Sequence, residues 1–160
     1  MLRLVSPADA AAIAAIYNHY VSNTMVTFEE ELVSDAAMAE RIAQVTRTHP
    51  WLIDEENGEI RGYAYASPWR PRASYRHSAE STIYLAHTCT GRGVGTALYR
   101  ELLARLAATD LHCVVGVIAL PNPISVAVHE KLGFRKVGHL EQIGRKFGTW
   151  IDVGYWQLML

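Results

Sequence analysis

Three closely spaced glycines separate a strand-like segment from a helix-like segment within residues 80–105. Before Gly91, Gly93 and Gly95, residues 83–85 favour a β-strand. After them, apolar residues recur at helical spacing up to residue 106. Glycines let a backbone turn sharply and approach a ligand closely, and the unpaired N–H groups of a helix start attract anions. The segment predicts a strand, an anion-binding loop and a helix; a plain glycine-rich connector is the equally weighted alternative.

Two common phosphate-binding fingerprints do not fit this loop. A dinucleotide fingerprint needs G-x-G-x-x-G, but its last position falls on Thr96 counted from Gly91 and on Leu98 counted from Gly93. A Walker loop needs Gly-Lys-Ser/Thr, and the loop has no lysine. The remaining pattern is x-G-x-G with Arg92 inside it, which does not by itself identify the anion.

The composition is that of an ordinary globular domain. The 160 residues suit one domain with a sizeable core, and the net charge of −1 gives no field that would attract nucleic acid or a membrane. No apolar run approaches transmembrane length, and no signal-peptide region begins the sequence. Cys89 and Cys113 form no C-x-x-C pair, and the seven histidines lack metal-ligand spacing. We therefore expect buried thiols, a reducing cytoplasmic setting and no metal.

Cap and turn signals give the order of the elements as β-α-α-β-β-β-α-β-α-β-β. Ser6-Pro7 and Ser34-Asp35 predict two helix starts, and Asn57-Gly58 predicts a hairpin turn. The predicted strands are 2–5, 51–54, 60–66, 79–86, 112–119, 134–140 and 151–158. The predicted helices are 7–22, 35–48, 93–108 and 125–132. Residues 144–150 are predicted to connect the last two strands.

Two segments outside these elements carry residues of chemical interest. From the residues alone, segment 23–33 is favoured as a solvated loop with one buried phenylalanine, Phe28. The alternative is a pocket wall, with Phe28 as its apolar surface and Glu29 as a polar contact. Segment 69–77 is the most basic local patch, and its arginines could bind carboxylate, phosphate or phosphinate bidentately. A solvated basic loop is the alternative, and nothing elsewhere extends the patch as nucleic-acid binding would require.

The glycine loop and the order of elements together resemble the GCN5-related N-acetyltransferases (GNAT). Their coenzyme A pyrophosphate loop, Gln/Arg-x-x-Gly-x-Gly/Ala, falls on Thr90 to Gly95, with Thr90 where a longer polar side chain is usual. Residues 122–134 resemble the second coenzyme motif, in which Asn122 would contact the pantetheine arm. In many members a tyrosine four residues before the helix-ending glycine is a general acid. Here that place is His129, which keeps a proton donor.

Three further segments narrow the resemblance to the phosphinothricin and methionine sulfone or sulfoximine acetyltransferases. They are residues 69–75, 80–84 and 146–152, and the resemblance covers nearly the whole chain. It implies one α/β (α+β) domain over residues 1–160. The implied sheet is mixed and mostly antiparallel, with about seven strands, about four flanking helices and a splay between the fourth and fifth strands.

The resemblance implies direct acetyl transfer, in a ternary complex, from acetyl-CoA to the primary amine of a small amino-acid-like acceptor. Glu80 would accept the ammonium proton, and His129 would protonate the leaving thiolate. A backbone N–H near Tyr84 or Leu85 would stabilise the oxyanion. The implied acetyl-CoA-binding residues are Ile83, Tyr84, Leu85, Gly91, Arg92, Gly93, Val94, Gly95, Thr96, Asn122 and Ser125. The implied acceptor-binding residues are Phe28, Glu29, Arg70, Arg72 and Tyr75. A homodimer is implied by the resemblance only.

Two other functions stay open at this level. The same chemistry could act on a protein N-terminus, a polyamine or an aminoglycoside, although the arginines at 70–76 argue against polycationic acceptors. A non-catalytic acetyl-CoA-binding module would keep the glycine loop and dispense with Glu80 and His129. Fold alone does not decide between these functions.

Overall fold

The computed structural model describes all 160 residues of the chain. They form seven strands and four helices, which are joined by turns and loops. The strands are β1 Leu2–Leu4, β2 Trp51–Glu56, β3 Glu59–Pro68, β4 Ser78–Leu85, β5 Cys113–Leu120, β6 Arg135–Lys146 and β7 Thr149–Met159. The helices are α1 Ala10–Asn23, α2 Asp35–Val45, α3 Val94–Ala107 and α4 Pro123–Lys131. The predicted order is confirmed, and most ends lie within a few residues of their predicted positions.

Two local signals formed as the sequence predicted, whereas Pro7–Asp9 form a 3-10 turn and α1 begins only at Ala10. The hydroxyl oxygen of Ser34 accepts a hydrogen bond from the backbone N–H of Ala37 at 3.2 Å, which satisfies one of the free donors at the start of α2. Asn57 and Gly58 both have positive φ, 53° and 82°, and join β2 to β3 as a tight hairpin. Both signals act over a few residues, so they could be recognised without knowledge of the tertiary structure.

The strands form one sheet in the order β1-β2-β3-β4-β5-β7-β6. Only β4 and β5 are parallel; all other neighbours are antiparallel. Helix α3 provides the crossover that a parallel pair needs. The mixed, mostly antiparallel sheet implied by the resemblance is therefore confirmed.

The β4–β5 ladder is short. Its register runs from Ser78↔Cys113 to Ser81↔Gly116 and then stops, although both strands continue for four more residues. Beyond this point β4 pairs only with β3, and β5 pairs only with β7. The two strands therefore diverge as a fork, which confirms the implied splay.

Alternate residues of the central strands face two separate cores. Leu52, Ala64 and Ala66 face α3, where they pack with Leu98, Leu102 and Leu106. Their neighbours Trp51, Ile53 and Tyr63 face α1 and α2 and pack with Ile13 and Met38. Strand side chains alternate between the two faces of a sheet, so covering both faces removes both sets from water. Burial of each large apolar side chain contributes about 1.5–3 kcal/mol to stability.

The last hairpin differs from its prediction. Residues 144–150 do not form a loop, because β6 continues to Lys146 and β7 begins at Thr149. Phe147 and Gly148 make the turn with φ of 49° and 75°, and glycine adopts this conformation readily. A shift of register between Leu140 and Gly144, with Gln142 at φ 49°, interrupts the ladder and disguises the strand in the sequence.

Two further expectations are only partly met or are wrong. Cys113 is buried, but Cys89 is only half-buried, in the segment that precedes the glycine loop. Phe28 is not the buried residue of a solvated loop, because 43% of it is exposed. None of the helices combines the length and the apolar character needed to cross a membrane.

Candidate functional site

The fork between β4 and β5 opens a cleft of about 480 Å³. Main-chain groups of residues 82–85 and 117–120 face it without a strand partner across the gap. Nine of the residues singled out in the sequence line the cleft, together with the first turn of α4. They are Phe28, Glu80, Ile83, Tyr84, Leu85, Gly95, Asn122, Ser125 and His129.

Glu80 lies at the closed end of the fork, one residue before the last β4–β5 pair. It pairs with Ser67 of β3 and Val115 of β5, and it shares a face of β4 with Thr82 and Tyr84. Burial raises the pKa of the Glu80 carboxyl, and the positive charge of Arg70 opposes this shift. A carboxylate with a raised pKa, facing a cleft, is suited to accept a proton from a bound group.

The glycine loop leads from the cleft to the start of α3. Gly91 and Gly93 have φ of 78° and 79°, a region that other residues rarely adopt. Gly95, in the first turn of α3, packs against β4, and a Cβ there would lie 3.3 Å from the Leu85 side chain. Thr90 and Gly95 line the cleft, whereas residues 91–94 and Thr96 lie beyond its wall. The unpaired N–H groups at the start of α3 are positioned to bind an anion next to the cleft.

His129 on α4 forms the opposite wall and is almost fully buried. Its Nδ1 lies 2.8 Å from the carbonyl oxygen of Ser125, and its Nε2 lies 2.9 Å from the hydroxyl oxygen of Tyr99. Burial lowers the pKa of the imidazole, and the Ser125 carbonyl opposes this shift. The ring is therefore largely neutral near pH 7. Asn122 caps α4, because its side-chain oxygen accepts from the Ser125 N–H at 3.1 Å.

The loop that carries Phe28 is held against β6. Lys146 is 1% exposed, and its Nζ donates to the carbonyl oxygen of Thr27 at 2.9 Å. The Phe28 ring lies on Gly144, where any Cβ would overlap it. Sequence reasoning missed Lys146 and Thr27 as part of this wall, because 119 residues separate the two.

Glu29 does not line the main cleft. It forms a bidentate ion pair with Arg41, at 2.7 and 3.0 Å, and this contact lowers the pKa of its carboxyl. The pair borders a second, smaller cavity of about 120 Å³. This cavity shares Thr82 and Tyr84 with the cleft and is otherwise walled by Tyr17, Met38, Trp51, Tyr63 and Tyr65. The buried indole N–H of Trp51 has no hydrogen-bond partner.

Arg70, Arg72 and Tyr75 lie on the exposed segment between β3 and β4, outside the lining of either cavity. The Arg70 guanidinium stacks on the Trp69 ring at 4.3 Å. Arg72 immediately precedes a short 3-10 turn, Ala73–Tyr75. Arg70 is connected to the cleft through its positive charge, which acts to lower the pKa of Glu80. No three His, Cys, Asp or Glu side chains converge into a group that could hold a metal.

Comparison with known proteins agrees with this geometry. Residues 2–154 match the family model described as an acetyltransferase (GNAT) domain. The chain is 39% identical to a phosphinothricin N-acetyltransferase of Streptomyces viridochromogenes over 156 residues, which are 98% of this chain and 85% of that protein. It is 34% identical to an L-methionine sulfoximine/L-methionine sulfone acetyltransferase of Salmonella typhimurium, over 99% of this chain and 94% of that one.

A solved structure shows the same fold with a ligand bound. The phosphinothricin acetyltransferase of Sinorhizobium meliloti in complex with AcCoA superposes with a TM-score of 0.97 at 38% identity. The match covers 100% of this chain and 88% of that one. The forked sheet, the glycine loop and these relationships lead to one conclusion: the chain belongs to the GNAT family and is an acetyl-CoA-dependent N-acetyltransferase.

Proposed function

We propose that this protein transfers an acetyl group from acetyl-CoA to the primary amine of a small amino-acid-like acceptor of the phosphinothricin, methionine sulfoximine or methionine sulfone class. The observation that carries the proposal is the position of Glu80. Its carboxylate, with a raised pKa, lies at the fork where an acceptor amine would meet the cleft. Relatives named for these acceptors align over nearly the whole chain, which supports the same class.

The cleft fits acetyl-CoA, which supplies the acetyl group as a thioester. The unpaired edge of β4 at Ile83, Tyr84 and Leu85 offers main-chain groups to the pantetheine arm and to the oxyanion. Asn122 and Ser125 face these residues from α4. The loop and first turn of α3 offer N–H groups for the pyrophosphate. The residues concerned are Gly91, Arg92, Gly93, Val94, Gly95 and Thr96.

Two side chains handle the protons of the reaction. An amino acid's ammonium group cannot attack until it loses a proton, and Glu80 accepts that proton directly or through a water. His129, in its protonated form, gives a proton to the departing thiolate. Neither cysteine is required, because direct attack in a ternary complex needs no acyl-enzyme.

Residues on the α1–α2 side of the sheet and on the basic segment hold the acceptor. Phe28 and Tyr75 provide apolar surface, and Arg70 and Arg72 provide bidentate donors for acidic groups. Glu29 meets the acceptor's N–H only through lone pairs that Arg41 leaves free. The small cavity beside Thr82 and Tyr84 gives room for an acceptor side chain.

The proposal also covers the oligomeric state of the protein and its cellular compartment. The outer strand β6, the turn after it and the start of β7 expose five large apolar side chains, which would be covered by a second copy of the chain. They are Val137, Leu140, Ile143, Phe147 and Trp150. A homodimer working in the cytoplasm is therefore part of the proposed function, and resistance to toxic amino-acid analogues would follow from acetylating them.

The test is release of coenzyme A from acetyl-CoA with a panel of acceptors. The panel contains phosphinothricin, methionine sulfoximine, methionine sulfone, ordinary amino acids, spermidine, an aminoglycoside and a short peptide. We expect turnover with the first three acceptors alone. Turnover of spermidine or peptide in their place would keep acetyl transfer but reject the acceptor class. Tight acetyl-CoA binding without turnover of any acceptor would favour the non-catalytic module.

A further inference from the structure

Three buried side chains form a hydrogen-bonded chain at the base of the cleft. Ser81 on β4, Tyr99 on α3 and His129 on α4 are each less than a tenth exposed. The Tyr99 hydroxyl oxygen lies 2.5 Å from Ser81 Oγ and 2.9 Å from His129 Nε2. Ser81 and Tyr99 have no role in the chemistry described above, so their place beside His129 requires an explanation.

The Ser125 carbonyl at the His129 end of these hydrogen bonds sets the direction of each of them. His129 Nδ1 lies 2.8 Å from the Ser125 carbonyl oxygen, which can only accept, so Nδ1 carries a proton. In the neutral ring Nε2 must then accept, and the Tyr99 hydroxyl donates to it. The Tyr99 oxygen in turn accepts from the Ser81 hydroxyl. Every polar atom of the chain is paired when His129 is neutral.

The same atoms can pair in the opposite direction when a proton from solvent adds to Nε2. The new N–H donates to the Tyr99 oxygen, and the Tyr99 hydroxyl turns to Ser81 Oγ. The Ser81 hydroxyl turns to the carbonyl oxygen of Val115, 3.5 Å away. One N–H bond forms, and no O–H bond breaks, because each hydroxyl only rotates. The charged state is therefore also paired.

The chain lies where the two strands part. Ser81 and Gly116 form the last β4–β5 pair, and a Cβ on Gly116 would lie 2.5 Å from His129 Nε2. Glycine at this position leaves the space that the imidazole occupies. The proton-holding ring is therefore fixed at the fork, next to the free edge of β4.

Few titratable groups surround His129. Helix α3 contributes Tyr99, and β4 carries Glu80 on the face opposite Ser81. Burial raises the pKa of the Tyr99 hydroxyl, the hydrogen bond with Ser81 opposes this shift, and the charge of Glu80 adds to it. The other neighbours, Gly116 and Phe134, do not titrate. On α4 itself, Glu130 accepts a hydrogen bond from the Trp156 indole N–H at 3.2 Å.

We propose that Ser81 and Tyr99 are positioning residues, which let the buried His129 gain and release a proton in place by reversing one chain of hydrogen bonds. An imidazolium with an unpaired buried N–H would be strongly disfavoured without them. The consequence for catalysis rests on the proposed function. The chain itself can be tested in the protein without acetyl-CoA or acceptor.

The test is an NMR titration of ¹⁵N-histidine-labelled protein, with the His129 signals identified by their loss in His129→Asn. In the wild type we expect the Nδ1–H tautomer and a pKa below the ordinary histidine value. Tyr99→Phe should lower this pKa by about one further unit, because a hydrogen bond to a charged group is worth more than one to a neutral group.

Ser81→Ala is the decisive variant, because the chain joins Ser81 to His129 only through Tyr99. The charged state would lose the acceptor for the Tyr99 hydroxyl, so the His129 pKa should fall here too. Tyr63→Phe is the matched control: it removes a hydroxyl from a buried tyrosine in the other core and should leave the His129 pKa unchanged.

Wild-type His129 in the Nε2–H form, or a wild-type pKa in Ser81→Ala, would overturn the proposal. A wild-type His129 pKa in Ser81→Ala would overturn the proposal even if Tyr99→Phe fails to fold. The two proposals fail separately. Shifted titrations with no turnover of the expected acceptors would reject the acceptor class and keep the chain of hydrogen bonds. An unchanged His129 pKa in the variants, together with turnover of the expected acceptors, would keep the acceptor class and reject the chain of hydrogen bonds.

Discussion

Glu80 shows how the pKa of one side chain depends on its place in the sheet. A glutamate on an exposed strand would titrate near its ordinary value and would be unable to hold a proton near neutral pH. At the fork, burial raises the pKa of the carboxyl and Arg70 restrains the shift. The acid limb of the rate profile should therefore lie above the ordinary glutamate value, because activity falls as Glu80 becomes protonated.

At the residue scale we predict that Glu80→Gln lowers kcat about 100-fold or more near pH 7, because general base catalysis contributes roughly 10²–10⁴-fold. The loss should shrink at high pH, where the acceptor is already a free amine. The measurement is kcat against pH. Glu101→Gln, at an exposed carboxylate on α3 paired with Arg105, should keep the wild-type profile. Unchanged kcat in Glu80→Gln would remove Glu80 from the mechanism.

At the element scale, strand β6 stabilises one wall of the site from a distance. Its Lys146 is buried without a carboxylate partner and bonds to the Thr27 carbonyl, while Gly144 receives the Phe28 ring. Burial lowers the pKa of this ammonium group. On the other side of the loop, the Tyr17 hydroxyl bonds to the Thr27 side chain at 2.7 Å. The loop is thus fixed between α1 and β6.

Lys146→Met should therefore weaken acceptor binding more than acetyl-CoA binding. We expect the acceptor KM to rise about tenfold, a difference of about 1.4 kcal/mol, because the Phe28 wall loses one of its anchors. The acetyl-CoA KM should change less than twofold. Steady-state kinetics with each substrate varied in turn gives both values, and the exposed Lys131→Met is the control. Equal changes in the two constants would contradict a role limited to the acceptor wall.

At the scale of the whole molecule, the two edges of the sheet differ. The β1 edge is three residues long, whereas β6 is twelve residues long, and its hairpin with β7 carries a group of exposed apolar side chains. Long apolar edges are unusual in monomers, because they can pair with other chains. The asymmetry supports the proposed dimer through the β6–β7 hairpin.

We predict that the protein is a dimer in solution and that Ile143→Lys shifts it towards monomer. Ile143 is 59% exposed on β6, so a lysine there costs the folded monomer little but places a charge in the interface. Light scattering after size exclusion gives the mass. Leu4→Lys is the matched control, since Leu4 is similarly exposed on the opposite edge of the sheet. A monomeric wild type, or a dimeric Ile143→Lys, would contradict this interface.

Features that depend on neighbouring residues could be predicted from the sequence. The cap at Ser34, the turn at Asn57-Gly58 and the spacing of Gly91, Gly93 and Gly95 each act within one turn of chain, so the order of elements could be predicted. The motifs around the glycine loop and α4 then indicated the family. The last two strands were predicted, but their hairpin was predicted too short, because an interrupted register and a turn at Phe147-Gly148 hide the strand pattern.

Which distant side chains meet depends on the folded arrangement of the whole sheet and its helices. It brings Ser81, Tyr99 and His129 into one chain, places Lys146 against Thr27, and pairs Glu29 with Arg41 rather than leaving it free. The physical reason is that such contacts form when the sheet closes and buried polar groups must find partners, whatever their separation in sequence. Local preferences carry no information about those partners, so the hydrogen bonds that join Ser81, Tyr99 and His129 could be seen only in the folded molecule.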